Sequence, residues 1–202
     1  MPKLIRIAAM LSVSAFLFAP PTMGAQSVID EAGLPNYINC QAGFAVIFPR
    51  APQTRNFTYR TRTGANLPGQ QYYLEHNGGL LQVSTIQFTG GPIIDEQEMD
   101  FAANQFATRG EVRFREAGIY DPGFPGRQLN IFLPNNRQLR ASVYMMERKL
   151  YLIEALAPLS DFEALQFEQS ISLTTPEGVD YDQNPGDPLR VFPCRQPAFR
   201  AG

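Results

Sequence analysis

The sequence predicts an α+β fold, an antiparallel β-sheet with two main helices packed on it. Three observations carry this expectation. Runs of alternating or wholly apolar residues recur along the chain, only two segments show a helical period, and the connections between runs are short. A doubly wound sheet would alternate strand and helix throughout, and this chain does not.

The elements follow in order. Residues 43–49 form a compact apolar run ending at Pro49, which suits a first strand. Phe57 and Tyr59 alternate with Thr58 and Arg60, which suits a second strand over 56–63, and residues 64–69 turn the chain. Segments 70–75 and 80–88 flank His76-Asn77-Gly78-Gly79. Asn-Gly supplies the positive φ angles of a tight hairpin, so these two segments pair antiparallel. The period then changes. Asp95, Glu96 and Glu98 place acids in the first turn of a helix, where they complement its dipole. Met99, Ala102, Ala103 and Phe106 recur at one face of that helix, and Gly110 stops it.

Strand chemistry returns at 111–118, and three further runs, 127–133, 138–146 and 149–157, follow closely. The last is apolar on both faces, as expected of a central strand. Ser160-Asp161-Phe162-Glu163 reads as a capping box opening a second helix to about Ser170, and 171–173 as a last edge strand. From Thr175 the prolines at 176, 185, 188, 193 and 197 give a tail-like segment. The organisation expected is a signal segment at 1–25, a lead at 26–40, one α+β domain at 41–174 and a Pro-rich tail at 175–202.

Residues 1–25 have the order of an export signal. Lys3 and Arg6 precede an apolar stretch from Ile7 to Ala19, Pro20 and Pro21 break it, and Thr22-Met23-Gly24-Ala25 supplies small residues for cleavage. The stretch is short of the ~20 residues a spanning helix needs, so no stable membrane span is expected after cleavage. The mature protein is expected to be periplasmic or secreted. In an oxidising compartment, Cys40 and Cys194 are expected to form one structural disulfide. It would close a loop of about 155 residues and tie the tail to the domain.

The chain of 202 residues carries 17 Lys and Arg against 19 Asp and Glu, a formal charge of −2. That mild acidity gives no reason to expect nucleic acid as a partner. One His, two Cys and no Trp leave few parts for a metal site or a nucleophile–base pair, and no phosphate loop or hydrolase motif is present. No cofactor and no metal are expected.

Several stretches resemble the PsbP/Mog fold group, in particular its small exported bacterial domains of the DcrB or LpqN kind. They are Gly43-Phe44-Ala45-Val46-Ile47-Phe48-Pro49, Gly123-Phe124-Pro125-Gly126-Arg127, and the string from Lys149-Leu150-Tyr151 to Phe167-Glu168-Gln169-Ser170-Ile171-Ser172-Leu173, where Ile171 stands in place of the group's usual Phe. The likeness spans residues 41–174 and consists mostly of core and turn residues. It implies a sheet with packed helices and a non-catalytic role in binding or assembly, and it brings no active site with it.

Five residues or groups remain as candidates for chemistry. His76 sits beside the Asn-Gly turn and reads as an exposed turn residue. Arg55, Arg60 and Arg62 are a possible basic strip on the second strand, able to grip a carboxylate or phosphate. Glu154 depends on the preceding turn. A two-residue turn at Glu147-Arg148 pairs it with Ala141 inside an apolar row, and a three-residue turn sets it opposite Arg140 as an ion pair. The segment 180–187 begins like a calcium loop, but Pro185 and Val191 stand where Gly and a bidentate Glu are needed, so it reads as a solvated tail. Arg113, Arg115, Arg137 and Arg140 add basic positions that the sequence does not place.

Two roles are therefore expected ahead of an enzyme built on Glu154 or His76. One is a non-catalytic exported domain that binds or assists another envelope protein, which needs an exposed apolar patch. The other is a small-molecule or lipid carrier with an apolar cavity of at least about 300 Å³ between helix 95–109 and the sheet.

Overall fold

The computed structural model describes residues 37–90, 95–116, 119–120, 124–182, 189–194 and 198–199. The expected signal segment at 1–25 and most of the lead lie outside them. The elements in chain order are β1 (Tyr37–Asn39), β2 (Phe44–Val46), β3 (Gln53–Arg60), β4 (Asn66–His76), β5 (Gly79–Gln87), α1 (Asp95–Ala107), β6 (Glu111–Glu116), β7 (Ile119–Tyr120), β8 (Phe124–Leu133), β9 (Arg137–Met146), β10 (Lys149–Pro158), α2 (Glu163–Gln169), β11 (Ser172–Leu173) and β12 (Ala198–Phe199). Among the described residues no helix is long and apolar enough to cross a membrane.

The main sheet is antiparallel with the order β3-β4-β5-β10-β9-β8-β6, and β7 pairs with β8 beside it. Three of its hairpins turn on two residues of positive φ. Asn77 and Gly78 join β4 to β5 as the sequence predicts, Asn135 and Asn136 join β8 to β9, and Glu147 and Arg148 join β9 to β10. Glu and Arg gain nothing from a left-handed backbone, so this last turn needs outside support. Arg148 supplies it: its Nε and Nη2 donate to the carbonyls of Phe88 and Gly90, and its own carbonyl accepts from the Phe88 N–H.

The fold class expected from the sequence is overturned. Among the described residues strand outweighs helix, 54% to 14%, and a second antiparallel sheet, β11-β2-β1-β12, is not hydrogen-bonded to the first. The protein is mostly β, not two helices on one sheet. The expected first strand, 43–49, is the element that moves: β2 pairs with β1 and β11 and never joins the main sheet.

The helices also separate, because each apolar cluster sits on a different face of the main sheet. On one face, Phe44, Val46 and Phe48 pack with Tyr72, Val83, Tyr151 and Ile153, and Phe167 of α2 joins them. On the other, Met99, Ala103 and Phe106 of α1 pack on Leu129, Ile131, Leu139 and Ala141. The α1 stripe is the one its sequence period predicts.

The segment beyond Thr175 does not behave as a solvated tail. Asp180 is buried, its Oδ1 accepts the Asp182 N–H at 3.0 Å, and its Oδ2 lies 3.6 Å from Arg190. Burial raises its carboxyl above the ordinary aspartate range. Residues 183–188 of the calcium-like stretch lie outside the described residues. Phe192 is buried with Ile38, Cys40 and Ala45, and the Cys40–Cys194 disulfide forms as expected, closing 154 residues.

The capping box at Ser160 is not made. Instead Asp161 Oδ1 accepts the Glu163 N–H at 2.9 Å, and Glu163 faces His76. Asp161 thus takes the Glu163 amide that the pattern gives to Ser160, while Phe162, the residue at the N-cap itself, makes no side-chain cap.

Polar contacts fix the exposed side of α1. Asp100 accepts from Arg127 Nε at 2.6 Å, which together with the charge of Arg115 holds its carboxyl below the usual range. A depressed carboxylate contributes stability above its unfolded pKa, and that contribution is lost as pH falls through the folded value. Asp100→Asn is expected to flatten the acid limb below the ordinary aspartate value of 3.8. Thermal midpoints at pH 7 and pH 3 check this, the wild type losing more between them than the variant.

Candidate functional site

Helix α1 packs against β8 and β9 and leaves the β3–β4–β5 half of that sheet face without a helical cover. The step between the helix and the open half is a cavity of about 590 Å³. Strand β3 and the turn after it supply Tyr59, Arg60, Arg62 and Gly64 to its wall. Helix α1 supplies Phe101, Gln105 and Phe106, and β10 supplies Leu152. The wall is thus apolar along the helix and basic at the β3 end.

The local sequence explains why the gap stays open. In β3, Phe57 and Tyr59 turn their rings into the α1-side cluster while the flanking residues stay in solvent. Gly69 of β4 lies directly beneath Phe57, where a Cβ would come within 2.4 Å of the ring. Residue 105 on the exposed side of α1 is a glutamine, so no large apolar side chain closes the mouth.

Beneath the β3 end lies Glu98, the one charged member of the buried α1 face. Its carboxylate is 4% exposed and accepts the Tyr59 hydroxyl at 2.9 Å. The Arg62 amide donates to both its oxygens, at 3.1 and 3.3 Å. Burial, and after it the Glu98 charge, push the Tyr59 phenol far above its ordinary range. The acid therefore pins the β3–β4 turn onto α1, and Arg62 hangs from an anchored backbone.

The residues singled out from the sequence fall as follows. Arg60 and Arg62 line the cavity. Arg55 does not: it shares the α1-side face of β3 with Phe57 and Tyr59 but stands further back along the strand, over the Tyr73 ring. It donates to Gln71 at 2.6 Å and Gln82 at 3.5 Å, with its guanidinium 4.5 Å over the Tyr73 ring. The three arginines do not form one strip.

Glu154 pairs with Ala141, as the two-residue turn requires, and is buried. Its charge is met by Arg109 at 2.7 Å, just past the end of α1, and not by Arg140. Arg140 instead meets Glu168 on the opposite sheet face. Tyr73, Gln82 and Glu154 stand in one cross-strand row, beside the row that holds Leu152, so a polar shelf borders the cavity.

His76 lies at the far hairpin, 3.2 Å from Glu163, whose carboxyl burial raises. It is half-buried and in contact with that carboxyl, not the exposed turn residue the sequence predicts. Among the described residues no cluster of three or more His, Cys, Asp or Glu is placed to hold a metal ion.

Sequence reasoning missed Glu98 because an acid in the first turn of a helix already has a use there. The available signal was its position four residues before Ala102, on the margin of the apolar stripe. The Arg109–Glu154 and Arg140–Glu168 pairs have no local signal, since 45 and 28 residues separate their partners.

No family model, curated protein or solved structure matches this chain.

Proposed function

We propose that the chain is a non-catalytic domain that binds a small amphiphilic molecule between α1 and β3, and that it acts outside the cytoplasm. The cavity is the observation that carries the reading. Its volume of about 590 Å³ falls within the range of small-molecule sites, and it lies where a carrier would need it. The disulfide and the export-like order of residues 1–25 support the compartment. The resemblance to the PsbP/Mog group adds a non-catalytic expectation and says nothing of the ligand. Glu154 is neutralised by Arg109 and His76 is engaged with Glu163, so neither is poised as an acid or base.

Docking on another envelope protein has less support. Among the described residues the exposed large apolar side chains are Val112 and Phe114 on β6, Leu159 and Phe162 before α2, and Leu189, which come from three segments far apart in sequence. A docking face would gather them into one patch.

A neutral apolar dye, 1-aminoanthracene, is expected to bind the native protein one to one. Gln105→Phe, at an exposed position on the cavity wall, is expected to abolish that binding and leave the thermal midpoint unchanged. Failure of the wild type to take up the dye, or equal uptake by the variant, would overturn the proposal.

A further inference from the structure

We infer that the molecule held in this cavity carries an anionic head group, a carboxylate or phosphate, received by Arg62 with Arg60 at the strand edge beside it, and has its apolar body against Phe101, Phe106 and Leu152. The inference rests on the reading of the cavity as a binding site.

The disposition of the arginines carries it. Of the twelve arginines among the described residues, ten have a partner for the guanidinium. Arg109, Arg113, Arg115, Arg127, Arg140 and Arg190 meet carboxylates. Arg50, Arg137 and Arg148 donate to backbone carbonyls, and Arg55 to two glutamines. The two side chains left without a partner among the described residues are Arg60 and Arg62, and both residues belong to the wall of the same cavity, Arg62 from the turn that Glu98 holds and Arg60 from the last position of the edge strand β3.

No carboxylate shares that lining to neutralise them. Glu98, which takes the Arg62 amide, is buried, and both its oxygens already accept bonds within the fold. It acts as a positioning residue that fixes the backbone of Arg62. A guanidinium presents a planar set of donors that matches a carboxylate or a phosphate, and partial shielding beside an apolar wall strengthens the pairing. The aromatic and aliphatic groups opposite suit a hydrocarbon body, so the two halves of the wall call for the two halves of an anionic amphiphile.

Four probes of graded chemistry test this by calorimetric titration: dodecanoate, dodecyl phosphate, dodecanol and inorganic phosphate. At least one of the two anionic amphiphiles is expected to bind at least about tenfold tighter than dodecanol, and which one does so identifies the head group. That preference should shrink as salt is raised. In the Arg60→Gln, Arg62→Gln double variant, whose changes lie on exposed side chains, the preference should vanish while uptake of 1-aminoanthracene is retained. Equal binding of dodecanol and both anions, or a preference that survives in the double variant, would overturn the anionic head group and leave the cavity reading standing. Inorganic phosphate binding as tightly as dodecyl phosphate would overturn the apolar half. Absence of dye binding in the wild type would overturn both readings together.

Discussion

Loss of the Cys40–Cys194 disulfide is expected to destabilise the protein by up to about 5 kcal/mol. The bridge closes 154 residues, nearly the whole described chain, so its removal returns a large loop entropy to the unfolded state. The native side adds to the effect. Cys40 ends beside Phe192, Ile38 and Ala45 in a small cluster of its own, and the Phe192 amide donates to the Gly178 carbonyl at 2.8 Å. Gly178 is held at φ 87°, and a Cβ there would lie 2.4 Å from Cys194 Sγ, so the crossing has no room for another residue. Urea unfolding of the oxidised protein and of a Cys40→Ser, Cys194→Ser variant measures the difference. A difference under about 1 kcal/mol would show that the C-terminal segment packs as well without the bridge. The cavity lies on the opposite face of the main sheet, so dye uptake by the variant should persist under conditions where it remains folded.

Glu168→Ala is expected to cost about 3–5 kcal/mol, because it strands buried partners rather than removing a favourable pair alone. Glu168 is 5% exposed, and its oxygens accept from Arg140 Nε at 2.5 Å and Ser142 Oγ at 2.7 Å. Helix α2 has seven residues and no side-chain cap at Phe162, so it holds to the sheet through Ala164, Phe167 and this carboxylate. Glu168→Gln keeps two acceptor lone pairs in place and should cost about 1–2 kcal/mol. Replacing the pair together, with Arg140→Met and Glu168→Leu, should recover most of the loss. Denaturant midpoints of the three variants check the order, and an alanine variant as stable as the glutamine variant would refute the account of α2.

Elements whose register is set by local chemistry were legible in the sequence. Asn77-Gly78 fixes a two-residue turn, the spacing of Met99, Ala102, Ala103 and Phe106 fixes the buried side of α1, and the lone cysteine pair fixes the bridge. The placement of whole elements was not legible. Phe44, Ala45 and Val46 are all fully buried, and a run apolar on both faces reads the same in the middle of a large sheet or in a separate small one. The choice is made by long-range pairing with β1 and β11, which carries no local mark. That choice turned an expected α+β layer into two sheets, and it put α1 and α2 on opposite faces. The Glu154 question was settled by the Glu147-Arg148 turn, whose left-handed residues are supported from the distant Phe88 and Gly90 carbonyls. At the cavity wall, the sequence grouped Arg60 and Arg62 with Arg55, which the fold places elsewhere, and it did not mark the anchor at Glu98.

The location of ligand binding distinguishes this cavity from the rest of the surface. In amide-resolved NMR spectra recorded during titration with dodecanoate, the largest shifts are expected at Arg60, Arg62, Phe101, Gln105 and Leu152. Shifts centred instead on the opposite sheet face, around Gln70, Thr85 and Lys149, or on the exposed Phe162, would contradict the assignment of this cavity as the binding site.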